Sequence, residues 1–192
     1  MEPILLASGS PRRKEILQNA GIPFEIAVSR AEEANSGLLS PEELVIRNAL
    51  AKAGEVASRF PGRVVLGADT LVAVGNAVLG KPKNREDAFR MLRSLAGKTH
   101  RVLTGVALVR GTRVLTDAEE TKVFFRELTD EQIAAYVATG ECDDKAGAYG
   151  IQGRGGVLVE RIEGDYFNVV GLPLCKVNRM LETFLREMPI DK

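Results

Sequence analysis

A short apolar segment runs into a small-residue turn and then into three consecutive cations in Leu6-Ala7-Ser8-Gly9-Ser10-Pro11-Arg12-Arg13-Lys14. Ser10 as N-cap and Pro11 at the first helical position make the turn a helix start. Its free backbone N–H groups and positive dipole end then face whatever lies above it. Successive helical residues point about 100° apart, so Arg12 and Arg13 offer guanidinium forks to phosphate oxygens from different sides. Cations at a helix N-terminus oppose the dipole, and a bound anion explains them better than solvation does.

Further residues have types suited to the same ligand. In Val64-Val65-Leu66-Gly67-Ala68-Asp69-Thr70 an acid ends an apolar strand, which is where open α/β sheets place ligands. Asp69 there suits either of two roles, holding a divalent metal or taking a proton from water. Lys81 is set in an extended conformation by Pro82. On a helical wheel Lys52 falls inside the arc of Val45, Ala49, Ala53 and Val56, so it either snorkels or points at an anion in a cleft. Ala31-Glu32-Glu33 carries adjacent carboxylates, either solvated or available as oxygen ligands to Mg²⁺ beside a triphosphate. The stretch Asp143 to Gly156, rich in glycine around Tyr149 and Gln152, reads as a loop lying close to a ligand. Neither GxGxxG nor GxxxxGK[ST] occurs. Two arginines, two lysines and several carboxylates together indicate a phosphorylated small molecule.

The elements that must carry these residues alternate. Strands are expected at Ile4 to Ala7, Phe24 to Val28 and Val64 to Ala68, the last ended by Asp69, and a hairpin at Leu71 to Val74 and Ala77 to Leu79 around Gly75-Asn76. Val102 to Val109 and Val114 to Thr116 are expected to pair about Arg110-Gly111-Thr112, with further strands at Lys122 to Phe125, Val157 to Ile162 and Tyr166 to Val170. Helices are expected from Arg12 to Asn19, from the capping box Ser40-Pro41-Glu42-Glu43 to about Ser58, and from Glu86 to Ala96. Another opens at the capping box Thr129-Asp130-Glu131-Gln132 and stops at Gly140, and a last amphipathic helix buries Leu174, Val177, Leu181, Phe184 and Leu185. Interleaved helices with several hairpins predict an α/β fold on a mixed twisted sheet, in one domain over residues 1–192.

Composition excludes several classes. The 192 residues are 45% hydrophobic and 27% charged, with 26 basic and 26 acidic residues for a formal net charge of zero. No basic stripe marks a nucleic-acid polymer as partner. No apolar run approaches the ~20 residues that cross a bilayer, and Leu5-Leu6-Ala7 is too short for a signal sequence, so a cytoplasmic protein without membrane contact is expected. Cys142 and Cys175 fit no metal spacing, and the single histidine, His100, leaves acid–base work to carboxylates or lysines.

Taken in order, Leu6-Ala7-Ser8-Gly9-Ser10-Pro11-Arg12-Arg13, Gly67-Ala68-Asp69-Thr70, Gly80-Lys81-Pro82, Asp144-Lys145-Ala146-Gly147-Ala148-Tyr149-Gly150-Ile151-Gln152-Gly153 and Val170-Gly171-Leu172-Pro173 resemble the Maf family of nucleoside triphosphate pyrophosphatases, in the branch acting on dTTP and UTP. These anchors span nearly the whole chain. The resemblance implies a two-lobed fold like that of inosine triphosphate pyrophosphatases, with a central cleft. It also implies metal-dependent hydrolysis, with Mg²⁺ or Mn²⁺, to the monophosphate and pyrophosphate, and a homodimer. Asp69 takes the family's general-base position, and the competing role of metal ligand stays open for it. Arg12, Arg13, Lys52 and Lys81 take phosphate-contacting positions, Ser8 and Thr70 join the substrate-binding set, and Glu32 takes the metal-side acid. Asn48 and Leu50 depart from the commonest pattern of the helix around Lys52.

Substrate choice is read from Gln152. Its amide can donate to a carbonyl and accept from N3–H of uracil or thymine, whereas an acceptor-only Glu in the sister branch suits the two donors of guanine. The branch reading therefore implies dTTP and UTP, with a house-cleaning role against modified pyrimidine nucleotides. The other readings weighed are a 7-methyl-GTP pyrophosphatase of the sister branch and a non-catalytic nucleotide-binding regulator of cell division.

Overall fold

The computed structural model describes residues 2–34, 37–75 and 77–186. A mixed seven-stranded sheet runs through it, with helices against both faces. Strand β1 (Ile4–Leu6) leads through the small-residue turn into α1 (Pro11–Asn19), then β2 (Phe24–Ile26) and α2 (Pro41–Arg59). Next come β3 (Val65–Val74), β4 (Ala77–Leu79), α3 (Arg85–Leu95), β5 (Thr99–Arg110) and β6 (Arg113–Phe125). The chain continues with α4 (Asp130–Ala138), two 3₁₀ turns at Ala146–Ala148 and Gly153–Leu158, β7 (Val159–Glu163), α5 (Tyr166–Val170) and α6 (Leu174–Arg186). The spatial order is β2-β1-β3-β5-β6-β7, with β4 paired to β3. Strand β1 is parallel to both its neighbours and the other pairings are antiparallel.

Local chemistry explains most boundaries. Ser40 Oγ accepts from the Glu43 N–H at 3.2 Å while the Glu43 carboxylate accepts from the Ser40 N–H at 2.8 Å, closing the capping box that opens α2. Thr129 and Gln132 close the same box on α4. Ser10 stands at the N-cap of α1, but its side chain makes no capping bond; its N–H instead donates to Ser8 Oγ at 3.2 Å.

Three expectations are corrected. Asp69 does not end a strand: β3 runs unbroken from Val65 to Val74, because nine of its residues pair in register with β5 and the acid is met by partners on α2. The strand pair expected about Arg110-Gly111-Thr112 is present as β5 and β6, but β6 runs unbroken from Arg113 to Phe125 and takes in the separate strand expected at Lys122. Tyr166–Val170 is a helix, because Asp165 accepts the Asn168 N–H at 3.1 Å as an N-cap, a local signal that outweighs the β-branched and aromatic composition. In the expected hairpin of β3 and β4, Asn76 lies outside the described residues.

Strand alternation sorts β3 between two environments. Val65, Leu71 and Ala73 pack on α2 through Val45, Ala49 and Ala53. That contact is close: a Cβ on Gly67 would sit 2.3 Å from the Ala49 carbonyl oxygen, and one on Gly105 would sit 2.3 Å from that of Val45. On the other face Leu66 and Ala68 join a cluster with Ile16, Leu17, Met180, Leu181 and Phe184 from α1 and α6. Val72 joins a second cluster with Leu92, Leu95, Ile133 and Val137 from α3 and α4. Between them, Thr70 bonds Thr104 at 2.9 Å, and the fully buried Asn168 amide donates to the Val102 carbonyl and to Thr121 Oγ1.

Candidate active site

A cavity of about 810 Å³ opens where the β1–α1 turn, the middle of β3, the first half of α2 and the Asp144–Gln152 segment meet. Asp69 is among the residues lining it, and the close crossing at Gly67 and Gly105 brings α2 within reach of that carboxylate. Asn48 and Lys52, one helical turn apart, both turn to the carboxylate. The Asn48 amide donates to Asp69 Oδ2 at 3.1 Å, and Lys52 Nζ lies 2.7 Å from Asp69 Oδ1. The same ammonium lies 2.7 Å from Glu33 Oε1, and its hydrogen bond holds the Glu33 carboxyl below the usual carboxylate range. Asn48 also accepts the Ala34 N–H at 2.8 Å, so one amide ties the Glu33 loop to the acid on β3.

Thr70, next along β3, faces the opposite side, where Arg13 is fixed rather than free. Its guanidinium donates to the Gly171 carbonyl at 2.8 Å, to Ser8 Oγ at 3.0 Å and to Thr70 Oγ1 at 3.0 Å. Burial lowers its pKa from the ordinary value, with Asp69 acting in the opposite direction. Arg13 thus joins the β1–α1 turn, β3 and the α5–α6 connection. Arg12 is more open and lies 3.2 Å from Asp144, which also takes Lys145 Nζ at 2.7 Å. Lys81 is exposed on the cavity wall, and Gln152 lines it from the glycine-rich loop.

The structure therefore brings Ser8, Arg12, Arg13, Lys52, Asp69, Thr70, Lys81 and Gln152 to one cavity. Glu32 is not among the described residues lining it; the adjacent Glu33 is. Adjacent residues of an irregular loop point in different directions, and no periodicity in Ala31-Glu32-Glu33 tells which acid turns inward. Asp144 and Lys145, which also line the cavity, belong to the segment expected to lie close to a ligand, whereas Asn48 is not among the expected site residues. The signal for Asn48 was its helical spacing of four from Lys52, which puts both on one face.

Two carboxylate oxygens, from Asp69 and Glu33, converge on one cationic position now held by the Lys52 ammonium. Among the described residues no group of three or more His, Cys, Asp or Glu could hold a metal ion. The pair Asp69 and Glu33 fits the one or two carboxylates that Mg²⁺ takes when phosphate oxygens and water complete its shell.

A protein of Bacillus anthracis named dTTP/UTP pyrophosphatase is 52% identical over 184 residues, covering 96% of each chain. One of Symbiobacterium thermophilum with the same name is 55% identical over 184 residues, covering 96% of this chain and 95% of its own. The family described as Maf-like protein matches residues 3–184, and the chain belongs to that family.

Proposed function

We propose that the protein hydrolyses dTTP and UTP to the nucleoside monophosphate and pyrophosphate. The observation that carries this reading is the meeting of Asp69, Asn48, Lys52 and Glu33 in a cavity that also holds the start of α1, Arg12, Lys81 and Lys145. The names of the close relatives agree with it.

Water attacks the α-phosphorus in this reading, the bond to the bridging oxygen between α- and β-phosphorus breaks, and the electron pair leaves with pyrophosphate. Asp69 receives the proton of the attacking water. A carboxylate has about four acceptor positions, and Asn48 and Lys52 use two of those on Asp69 while fixing its orientation. Lys52, Lys81 and Arg12 meet the triphosphate oxygens, with the backbone N–H groups at the start of α1. Arg13, engaged by three protein acceptors, holds Ser8 and Thr70 in place around the substrate. Asp69 and Glu33 are the residues that would hold Mg²⁺ or Mn²⁺. When bound, such an ion supplies charge neutralisation at the phosphate oxygens.

Gln152 reads the base through one donated and one accepted hydrogen bond. The cavity is then the cleft between two lobes, one built on α1 and α6 and the other on α3 and α4. A cytoplasmic homodimer is the working form in this reading. The family resemblance supports it, and no helix among the described residues is long and apolar enough to cross a membrane.

The test is product analysis with purified protein, Mg²⁺ and a panel of dTTP, UTP, CTP, 7-methyl-GTP and ITP. Monophosphate and pyrophosphate are expected chiefly from dTTP and UTP. Turnover chiefly of 7-methyl-GTP would overturn the base reading and keep the reaction class. Nucleotide binding with no turnover would replace the enzyme by a nucleotide-binding regulator.

A further inference from the structure

The loop that carries Gln152 is tied down from behind by a residue outside the cavity. Glu141, just past α4, accepts three hydrogen bonds on its carboxylate: from Tyr136 OH at 3.0 Å, from the Gly155 N–H at 2.9 Å and from the Arg154 N–H at 3.0 Å. Two successive backbone N–H groups converging on one anion form a nest, a geometry that an acceptor with full negative charge stabilises far better than a neutral one. The other end of the loop is tied to the same pair, because the Gly150 N–H donates to Tyr136 OH at 3.3 Å. The Glu141 backbone carbonyl also accepts from Lys145 Nζ, at 2.6 Å.

Gln152 lies midway between these tethers, and the backbone reverses immediately after it at Gly153, with φ of +65°. The ring is packed shut. A Cβ on Gly155 would stand 2.1 Å from the Gly150 carbonyl oxygen, and one on Gly153 would stand 2.9 Å from Glu141 Oε2. Burial pushes the Glu141 carboxyl up, but the N–H groups of Gly155 and Arg154 and the Tyr136 hydroxyl outweigh it and hold the group below its ordinary value.

We infer that Glu141 is a positioning residue for base recognition: its carboxylate sets the conformation of residues 150–155 and thereby aims the Gln152 amide at the pyrimidine edge. This rests on the proposed reading that Gln152 selects dTTP and UTP. The side-chain amide of a Glu141→Gln variant keeps the shape but has a single acceptor oxygen, so the nest and Tyr136 can no longer all be satisfied. Glu141 is partly exposed, and loss of its charge leaves the apolar clusters intact.

Two measurements test the inference. In the nucleotide-free protein, amide hydrogen exchange across residues 150–156 is expected to rise about tenfold or more in E141Q, with α2 and β3 unchanged. In steady-state kinetics KM for dTTP and UTP is expected to rise about tenfold with kcat largely kept, so that the kcat/KM ratio of dTTP over CTP falls by a similar factor. Tyr136→Phe, which removes one donor to Glu141 and the acceptor for Gly150 at nearly constant volume, is expected to give a smaller fall in the same ratio. Unchanged exchange in E141Q would overturn the clamp, and increased exchange with an unchanged ratio would overturn its role in base selection. A wild type that does not prefer dTTP and UTP would fail the Gln152 reading, and base selection by Glu141 with it. The exchange measurement needs no turnover and separates that failure from a missing clamp.

Discussion

At the scale of single residues, the site is organised by the partners of one carboxylate. Asp69 is 9% exposed, within a strand where an unpaired acid would be costly, and Asn48 and Lys52 stabilise its charge. Substituting Asn for Asp69 keeps the shape and removes the proton acceptor. Asp69→Asn is expected to lower kcat by about 10²–10⁴-fold while dTTP affinity, measured by equilibrium binding, changes by only a few-fold. Retained turnover would remove Asp69 from the role of base. Arg13 illustrates the opposite case, a cation whose type suggested an anion contact and whose three hydrogen bonds are to protein acceptors on three separate segments. Only a planar fork satisfies such a set, which is why lysine would not replace it there.

At the scale of elements, the decisive contact is α2 crossing β3 and β5. Gly67 and Gly105 leave no space for a Cβ, and the backbone of α2 fills the place a side chain would take. That approach sets the reach of Asn48 and Lys52 to Asp69. Gly67→Ala must push helix and sheet apart, which is expected to cost about 1–3 kcal/mol as overpacking, read by urea unfolding. Activity should fall in the variant at temperatures where it is still folded, because the Lys52–Asp69 distance of 2.7 Å cannot be kept. An alanine variant equal to wild type in both stability and activity would show that this crossing does not set the site.

At the scale of the whole molecule, the cluster of α3 and α4 encloses His100, which is 1% exposed and packed edge-on against Phe125 and Tyr149. Its Nε2 is 2.7 Å from Tyr149 OH, and burial lowers its pKa to about 4. The unfolded chain binds a proton near the ordinary value of 6.5, so between these two values the unfolded state holds more protons than the folded one. The stability that neutral His100 contributes is complete above about 6.5 and is lost as pH falls towards 4. The loss amounts to about 3 kcal/mol at most. Urea unfolding at a series of pH values should show that decline in the wild type and a shallower one in His100→Gln, since glutamine does not titrate. Equal slopes would assign the acid sensitivity to carboxylates instead.

Much of this was legible in the residues themselves, wherever the physics is local. Capping boxes at Ser40 and Thr129, the amphipathic period of α3 and α6, and the strand–turn–helix at Ser8 to Arg13 depend on neighbours within a few positions, so sequence alone determined them. So did the α/β class and the collection of cations and acids that indicated a phosphorylated ligand. Tertiary structure decided what depends on residues distant in the chain. It carried β3 through Asp69, because Asn48 and Lys52, 21 and 17 positions away, meet the charge. It turned Glu33 rather than Glu32 towards Lys52, and it engaged Arg13 with Gly171, 158 positions on. A carboxylate's partners, and the direction a loop side chain takes, are set by whichever surface folding brings opposite, and no local pattern encodes that surface.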